Sequence, residues 1–103
     1  LLSTDQSDVI PVVFTLHQNY PNPFNPTTQI RYDLPENSYV SITIYDLMGK
    51  RVKSLVNSKQ DLGYRSIHWN ATNDLGQPVS AGMYIYTIQA GEFRKTKKMV
   101  LLK

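Results

Sequence analysis

The 103-residue chain is long enough for one domain with a hydrophobic core. Hydrophobic residues make up 41% and charged residues 18% of the sequence, which excludes a highly charged disordered chain. The absence of cysteine excludes disulfides, thiolate catalysis and cysteine-ligated metals. No apolar run reaches about 18 residues, so we expect no membrane-spanning helix.

The basic residues behind the net charge of +3 are concentrated near the end of the sequence. Five of the eleven lie in the last ten positions, namely Arg94, Lys95, Lys97, Lys98 and Lys103. Such a tail attracts nucleic acid, lipid head groups or an acidic partner. Lysines also deter pairing along an exposed edge strand. Because so short a patch neutralises few phosphates, we favour the edge-strand interpretation and expect no nucleic-acid binding.

Residues 1–11 are mostly polar and end at Pro11, which is typical of a linker or of the tail of a preceding domain. The first positions lack a basic segment followed by an apolar one, so no signal peptide is predicted. We expect the folded domain to span residues 12–103. It would begin with a β-prone run at 12–17 that places Phe14 and Leu16 on one face.

A stretch rich in proline and asparagine follows at residues 18–26, here called the proline loop. It holds three of the six prolines, which exclude a helix because proline lacks an N–H and restricts the preceding residue. It also carries two large rings, Tyr20 and Phe24, which a flexible linker has no reason to contain. We predict a stiff loop that both rings fix to the core, while Asn22 and Asn25 bond local backbone or face a partner.

Two runs alternate between apolar and polar residues, at 28–34 and 39–45, with a turn at 35–38 between them. This alternation predicts strands with one buried face, and the short turn predicts that they pair as a hairpin. The residues expected to point into the core are Ile30, Tyr32, Val40, Ile42 and Ile44.

Four further strands are predicted after a turn at Gly49, the last over 92–102. The alternation slips between Val52 and Leu55, which indicates a bulge or a bend. Ile67 and Trp69 share a face, and Trp69 is the expected centre of the core, with a ligand-stacking platform as the alternative. Seven strands without a helix predict an all-β, immunoglobulin-like antiparallel sandwich.

The spacing of Gly82, Tyr84 and Tyr86 matches the tyrosine corner, in which the first tyrosine bonds back to upstream backbone. Tyr86 then stands where an antibody domain has its second cysteine, and its ring would fill the space of the disulfide. Two aromatic residues that merely share a strand face are the alternative interpretation.

No set of residues predicts catalysis. His17 and His68 lie opposite the apolar residues of their strands, so both are expected to be exposed and unpaired. The loop at 70–74 offers Asn and Asp oxygens but lacks the ligand count of a calcium site, and Asx turns explain it equally well. We expect no enzyme activity, no metal and no cofactor.

The proline loop and four later segments, at 44–52, 63–70, 76–84 and 97–103, resemble in sequence and order a known family. This is the type A C-terminal sorting domain of the bacterial type IX secretion system. The resemblance departs at Asn70 and Ala71, where the family often has Asp and Gly, and at Ala81, where Ser is frequent. The residues proposed for recognition are Asn19, Tyr20, Pro21, Asn22, Pro23, Phe24, Asn25, Pro26, Gly49, Gly82, Tyr84, Lys97, Lys98, Met99 and Lys103.

The resemblance implies a seven-stranded sandwich related to the immunoglobulin-like domain of hook-capping proteins. It implies a non-catalytic signal at the end of a cargo protein that reaches the periplasm and then passes the outer membrane through a translocon. A sortase-like peptidase commonly removes such domains, and the cargo is released or joined to the cell surface. The isolated domain is expected to be a monomer or a weak edge-mediated dimer.

Two other functions stay open on the sequence alone. A carbohydrate-binding or adhesive module appended to a secreted enzyme would expose two or three coplanar aromatic rings, and the seven tyrosines could supply them. A structural assembly module would form a stable oligomer. If the chain is a sorting signal, the basic final strand and the proline loop are the expected docking elements.

Overall fold

The computed structural model describes residues 10–102, which form seven strands and no helix. The predicted all-β class is confirmed. No helix in this part of the chain is long and apolar enough to cross a membrane. Most of the predicted linker, and Lys103, lie outside the described residues. The strands are β1 (Thr15–Leu16), β2 (Thr28–Leu34), β3 (Ser38–Tyr45), β4 (Arg51–Gln60), β5 (Gly63–Trp69), β6 (Gly82–Ala90) and β7 (Phe93–Leu101).

The strands form two antiparallel sheets that pack face to face. The small sheet has the order β1-β2-β5, and the large sheet has the order β4-β3-β6-β7. β2 pairs with β5 along its whole length, from Thr28 opposite Trp69 to Leu34 opposite Gly63. β4 and β7 are therefore the edge strands of the large sheet.

The predicted hairpin between β2 and β3 is wrong, because the two strands lie in different sheets. The turn at 35–38 instead carries the chain from the small sheet to the large one. Alternation identifies the buried face of each strand, and both faces are buried here against each other. It does not identify the neighbouring strand, which is why the nearest run in sequence was mistaken for the partner.

The inner faces of both sheets meet in one core. Ile30, Tyr32, Val40, Ile42 and Ile44 are each at most 2% exposed. Trp69 is 1% exposed, whereas Ile67 is half-buried and packs against the rim of the same cluster. The alternating residues therefore fill the space between the sheets, as period-two geometry requires.

The predicted bulge in β4 is confirmed and occurs twice. The register against β3 shifts between Ile42 and Thr43 and again between Ile44 and Tyr45. These shifts leave Leu55 and Val52 without an opposite residue on β3. Both side chains are half-buried and pack against the core, so each bulge lets β4 turn one extra apolar side chain inward.

The first strand is shorter than the predicted run at 12–17. Only Thr15 and Leu16 pair with β2, opposite Asp33 and Tyr32. In this register Phe14 would face Leu34, the last residue of β2, so residues upstream of Phe14 have no ladder to join. Phe14 nevertheless stacks on Phe93, with ring centroids 5.5 Å apart, so this segment still covers the start of β7.

Candidate functional site

The proline loop crosses one end of the sandwich with its two rings on opposite sides. Phe24 is 1% exposed and packs on Trp69, with ring centroids 5.8 Å apart. Tyr20 is 80% exposed, so the prediction that both rings fix the loop is wrong for Tyr20. The reason is backbone pairing: two bonds of 2.9 Å join Tyr20 to Gln29 and place its ring on the outer face of the small sheet.

Asn19 holds the inner side of the proline loop and is 2% exposed. Its amide nitrogen donates to the hydroxyl of Thr28 at 3.0 Å and to the carbonyl of Pro21 at 3.2 Å. Its amide oxygen accepts from Gln18 at 2.6 Å, and the Thr28 hydroxyl donates to the Pro21 carbonyl at 2.8 Å. The buried amide is thus fully partnered, and the loop shape around three cis peptide bonds is held from within.

Tyr86 connects the large sheet to the chain segment that enters the proline loop. Its hydroxyl accepts from the backbone N–H of Asn19 at 2.8 Å and donates to the carbonyl of His17 at 2.8 Å. The ring is fully buried, and this burial raises the pKa of the Tyr86 hydroxyl to about 12, although the Asn19 N–H acts in the opposite direction. A phenol therefore links two sheets that a disulfide joins in antibody domains.

Alkaline stability is expected to depend on Tyr86. The unfolded chain releases this proton near pH 10.0, whereas the folded protein keeps it to about 12, so stability falls as the pH rises through that interval. Burial also raises the pKa of Tyr32 and Tyr84, which adds to the same slope.

We expect Tyr86→Phe to reduce the slope of stability against pH between about 10 and 12. It should also lower the free energy of unfolding at pH 7 by about 2 kcal/mol, because the Asn19 N–H and the His17 carbonyl lose their partner. Urea unfolding from pH 7 to 12 measures both effects. The exposed Tyr39→Phe is the control. An unchanged slope in Tyr86→Phe would show that this phenol is not the titrating group.

The proline loop closes the C-terminal half of the β7 edge. The Phe24 N–H donates to the Val100 carbonyl at 3.0 Å, and the Leu102 N–H donates to the Phe24 carbonyl at 2.8 Å. The side chain of Asn22 accepts from the Val100 N–H at 2.9 Å, and the amide of Gln18 donates to the Lys98 carbonyl at 2.7 Å. The loop therefore occupies the position that a further parallel strand would take.

The N-terminal half of the β7 edge is open. Val100 and Leu102 direct their N–H groups away from β6, so the alternation of an antiparallel ladder directs those of Arg94, Thr96 and Lys98 the same way. The side chains of Arg94, Lys95 and Lys98 are exposed, and Lys97 is half-buried. Met99, in contrast, is 1% exposed and belongs to the core.

The predicted tyrosine corner is confirmed. The Tyr84 hydroxyl donates to the carbonyl of Ser80, four residues upstream, at 2.6 Å. Gly82 begins β6 and is exposed. The Tyr84 ring also meets Trp69 edge-on, with centroids 5.4 Å apart. Tyr84 therefore fixes the start of β6 to the core.

Two loops lie at β4, the edge of the large sheet opposite β7. At the β3–β4 turn the Asp46 carboxylate accepts the N–H groups of Met48 and Lys50, and Gly49 has a φ of 85°, which disfavours residues with a Cβ. In the second loop, the Asp74 carboxylate accepts from the Ser54 N–H at 3.0 Å and the Asp74 N–H donates to the Val52 carbonyl, so this loop binds the edge of β4. The hydrogen bond from the Ser54 N–H holds the pKa of Asp74 below its usual value, and the Arg51 guanidinium lowers it further.

Ala71, one of the departures from the family resemblance, occupies an unusual backbone conformation. It has a φ of 64° and is 2% exposed, so an alanine occupies a left-handed position for which glycine is the usual choice. The loop that follows is built from Asx contacts, with the Asn73 carboxamide accepting the N–H groups of Leu75 and Gln77. Within residues 10–102, no three His, Cys, Asp or Glu side chains are grouped as metal ligands.

His17 lies on the solvent-facing side of its sheet, as expected, but the expectation that it is unpaired is wrong. Its Nε2 lies 2.9 Å from a carboxylate oxygen of Asp33, and the imidazole is partly buried. β1 pairs with β2 antiparallel, so two polar residues from different runs meet on one face. Sequence reasoning missed this pair because it treated each run alone. His68 is exposed, as expected.

A family model described as a secretion system C-terminal sorting domain matches residues 18–102. The chain belongs to this family. It is the sorting signal of the type IX secretion system, and its cargo is exported to the cell surface or the extracellular space. Domains of this family are attached to a cargo and interact with the secretion machinery. No curated protein sequence matches the chain.

Solved structures share the fold of this sorting domain. It resembles part of dimeric latent PorU from Porphyromonas gingivalis, with a TM-score of 0.68 and 22% identity over 89% of this chain and 10% of that one. It also resembles part of PorZ, an essential surface component of the type IX secretion system of the same organism. There the TM-score is 0.57 and the identity 19%, over 87% of this chain and 11% of that one.

The domain spans about a tenth of the length of PorU and of PorZ, so these likenesses concern one small part of each protein. FlgD from P. aeruginosa is a further structural relative, with a TM-score of 0.57 and 25% identity. That match covers 72% of this chain and 57% of FlgD. The sandwich is therefore a unit that occurs in proteins of different overall construction.

Proposed function

We propose that the sorting domain is recognised as a folded surface and acts without catalysis. The recognition element is the open half of the β7 edge, which we call the open edge and define as residues 94–98. A strand of the translocon pairs with it, and the exposed side of the proline loop is a second contact. The exposed side chains there are those of Tyr20, Pro21, Pro23, Asn25 and Pro26, whereas the amide oxygen of Asn22 is already bound to the Val100 N–H.

The observation that supports this proposal is the half-closed edge of β7. Its C-terminal half already has a substitute strand in the proline loop, through Phe24, Asn22 and Gln18. An exposed strand edge with unpaired backbone groups is a template for strand addition. On β7 within the described residues, only the open edge still offers such groups, and there the outward carbonyl of Lys98 is already bound by Gln18.

The charge of the open edge favours an acidic partner strand. Arg94, Lys95, Lys97 and Lys98 lie within five positions. Lys95 and Lys97 share a strand face with the core residues Met99 and Leu101, and inward lysines on an edge oppose pairing with an equally basic copy of the same strand. Complementary charge offsets this repulsion for an acidic strand. We therefore expect the isolated domain to be a monomer or at most a weak dimer.

We further propose that residues 12–103 are the sorting domain and that residues 1–11 connect it to a cargo. Burial of Pro11 extends the packed unit one residue upstream of this boundary. A sortase-like peptidase would then act in the connection and not within the sandwich. This part of the proposal rests on the family to which the chain belongs.

The test is export of an inert reporter fused in front of residues 12–103. In a host with an intact type IX translocon the reporter should reach the medium or the cell surface, and without the translocon it should stay in the periplasm. Periplasmic retention in both hosts, with the domain folded, would contradict the proposed boundary.

Thr96→Pro tests the open edge more sharply than removal of residues 97–103, which also deletes the buried Met99 and Leu101. Proline at 96 removes one outward N–H and leaves the β6–β7 ladder intact. We expect export to fall about tenfold, because the interface with the partner strand loses one hydrogen bond. Thr96→Val is the matched control, since both changes remove the 2.9 Å contact with the Thr87 hydroxyl. Equal export of the two folded variants would rule out strand addition here.

A further inference from the structure

The outer face of the small sheet carries an ordered array of side chains that the core does not use. β2 buries Thr28, Ile30, Tyr32 and Leu34, so its alternate residues point to solvent. The β2–β5 register sets Asp33 beside Tyr64, Arg31 beside Ser66, and Gln29 beside His68. On the other side of β2, the chain from β1 to Tyr20 adds a third row of outward side chains. We call this array the outer face, and its members are Thr15, His17, Tyr20, Gln29, Arg31, Asp33, Tyr64, Ser66 and His68.

Two exposed tyrosine rings lie at opposite corners of the outer face. Tyr20 is 80% and Tyr64 is 61% exposed, and they pair with Gln29 and Asp33, four positions apart on β2. With about 3.4 Å per residue and about 4.8 Å per strand, their backbones lie about 17 Å apart. Only an elongated ligand contacts both rings at once.

A free cation lies between the two rings. The Arg31 guanidinium is exposed and has no hydrogen bond or ion pair with any residue in the described part of the chain. The neighbouring carboxylate of Asp33 is already engaged by His17 at 2.9 Å. The guanidinium is therefore available to an external anion, and its fork geometry suits a carboxylate or a phosphate.

Two shallow clefts meet at Arg31. One, of about 290 Å³, is lined by His17, Arg31, Asp33, Tyr64 and Ser66 together with the inward Arg65. The other, of about 350 Å³, is lined by Gln18, Tyr20, Gln29 and Arg31. Each cleft has one tyrosine at its end and shares the same guanidinium. Aromatic walls with a few placed polar groups are the usual composition of ligand sites.

We propose that the outer face binds an acidic oligosaccharide. One sugar ring lies against Tyr20 and another against Tyr64, because the C–H face of a sugar is apolar while its rim of hydroxyls needs polar partners. Gln29, Ser66 and His68 supply those partners. A carboxylate or phosphate on an intervening unit pairs with Arg31. A peptide is a poorer match, because the outer face presents side chains and no free strand edge between the rings.

Binding is measured by calorimetry on the 103-residue chain with two acidic probes, an oligogalacturonate and a phosphorylated oligomannoside. The methyl-esterified galacturonan and the unphosphorylated oligomannoside are uncharged controls of the same shape. We expect both acids to bind and the neutral forms to bind about tenfold more weakly, because Arg31 loses its partner. Failure of both acids to bind overturns the proposal.

Substitutions test the two tyrosine rings and the Arg31 cation of the outer face separately. Tyr20→Ala and Tyr64→Ala should each weaken both acids about tenfold, and Arg31→Gln should remove the preference for acid over neutral probe. Tyr39→Ala is the matched control, since Tyr39 is 55% exposed on the outer side of the large sheet. Equal loss in Tyr39→Ala, or equal binding of monomeric galacturonate or inorganic phosphate, overturns the proposal. Reporter export should be unchanged in Tyr64→Ala, so the outcome is independent of the sorting role.

Discussion

Replacement of Phe24 by alanine is expected to lower the free energy of unfolding by about 4 kcal/mol. Phe24 is 1% exposed, and its ring lies against Trp69 at 5.8 Å. Truncation leaves a cavity that the stiff proline loop cannot fill, because its shape is also set by the contacts of Asn19. Domains of this size are stable by about 5–15 kcal/mol, so the change removes a large share of the total.

Urea unfolding of Phe24→Ala measures this loss, and Tyr20→Ala in the same loop is the matched control. Tyr20 is 80% exposed, and its attachment to Gln29 is through backbone groups that alanine retains. Its removal should change stability by no more than about 0.5 kcal/mol. Similar losses in the two variants would contradict the assignment of one ring to the core and the other to solvent.

Trp69→Ala is expected to cost about 4 kcal/mol as well. The indole meets Phe24 at 5.8 Å and Tyr84 edge-on at 5.4 Å, and its N–H donates to the Thr72 carbonyl at 2.8 Å. The substitution removes an aromatic contact on each side and leaves that carbonyl without its partner. The expected result is a marginally stable domain, measured by the midpoint of thermal and urea unfolding.

Trp69→Phe separates packing from hydrogen bonding, because it keeps a ring and removes the indole N–H. It should cost about 2 kcal/mol, less than the alanine variant. The combination of Phe24→Ala with Trp69→Ala should cost less than the sum of the single losses, by about 1 kcal/mol, since both changes remove the same ring contact. Strict additivity would show that the two rings do not support each other.

Much of the sandwich was predictable because its signals are local. A strand with one buried face alternates with period two, so Ile30 and Ile42 identify themselves within a few residues of sequence. The tyrosine corner is also local, since the Tyr84 hydroxyl reaches the backbone only four residues upstream. The slip between Val52 and Leu55 similarly marks the bulges of β4.

The features that depend on strand neighbours could not be predicted in this way. The false β2–β3 hairpin, the contact of His17 with Asp33, and the closed half of the β7 edge all join segments that sequence proximity does not connect. The two rings of the proline loop failed for a related reason. Tyr20 forms the backbone pair with Gln29 of β2, and this pair turns its ring outward. Composition does not indicate which of the two aromatic residues forms that pair.

The closure of the β7 edge also bears on when the domain folds. Its contacts join residues 78 and 80 positions apart, from Asn22 to Val100 and from Gln18 to Lys98. Contacts of such long range slow folding, because the loop-closure entropy is lost before the contacts form. Because β7 is the last strand to be synthesised, the contacts between the proline loop and β7 form only after the other strands have been made. The edge that the proline loop closes is therefore completed late in folding, after the other strands of the sandwich are available.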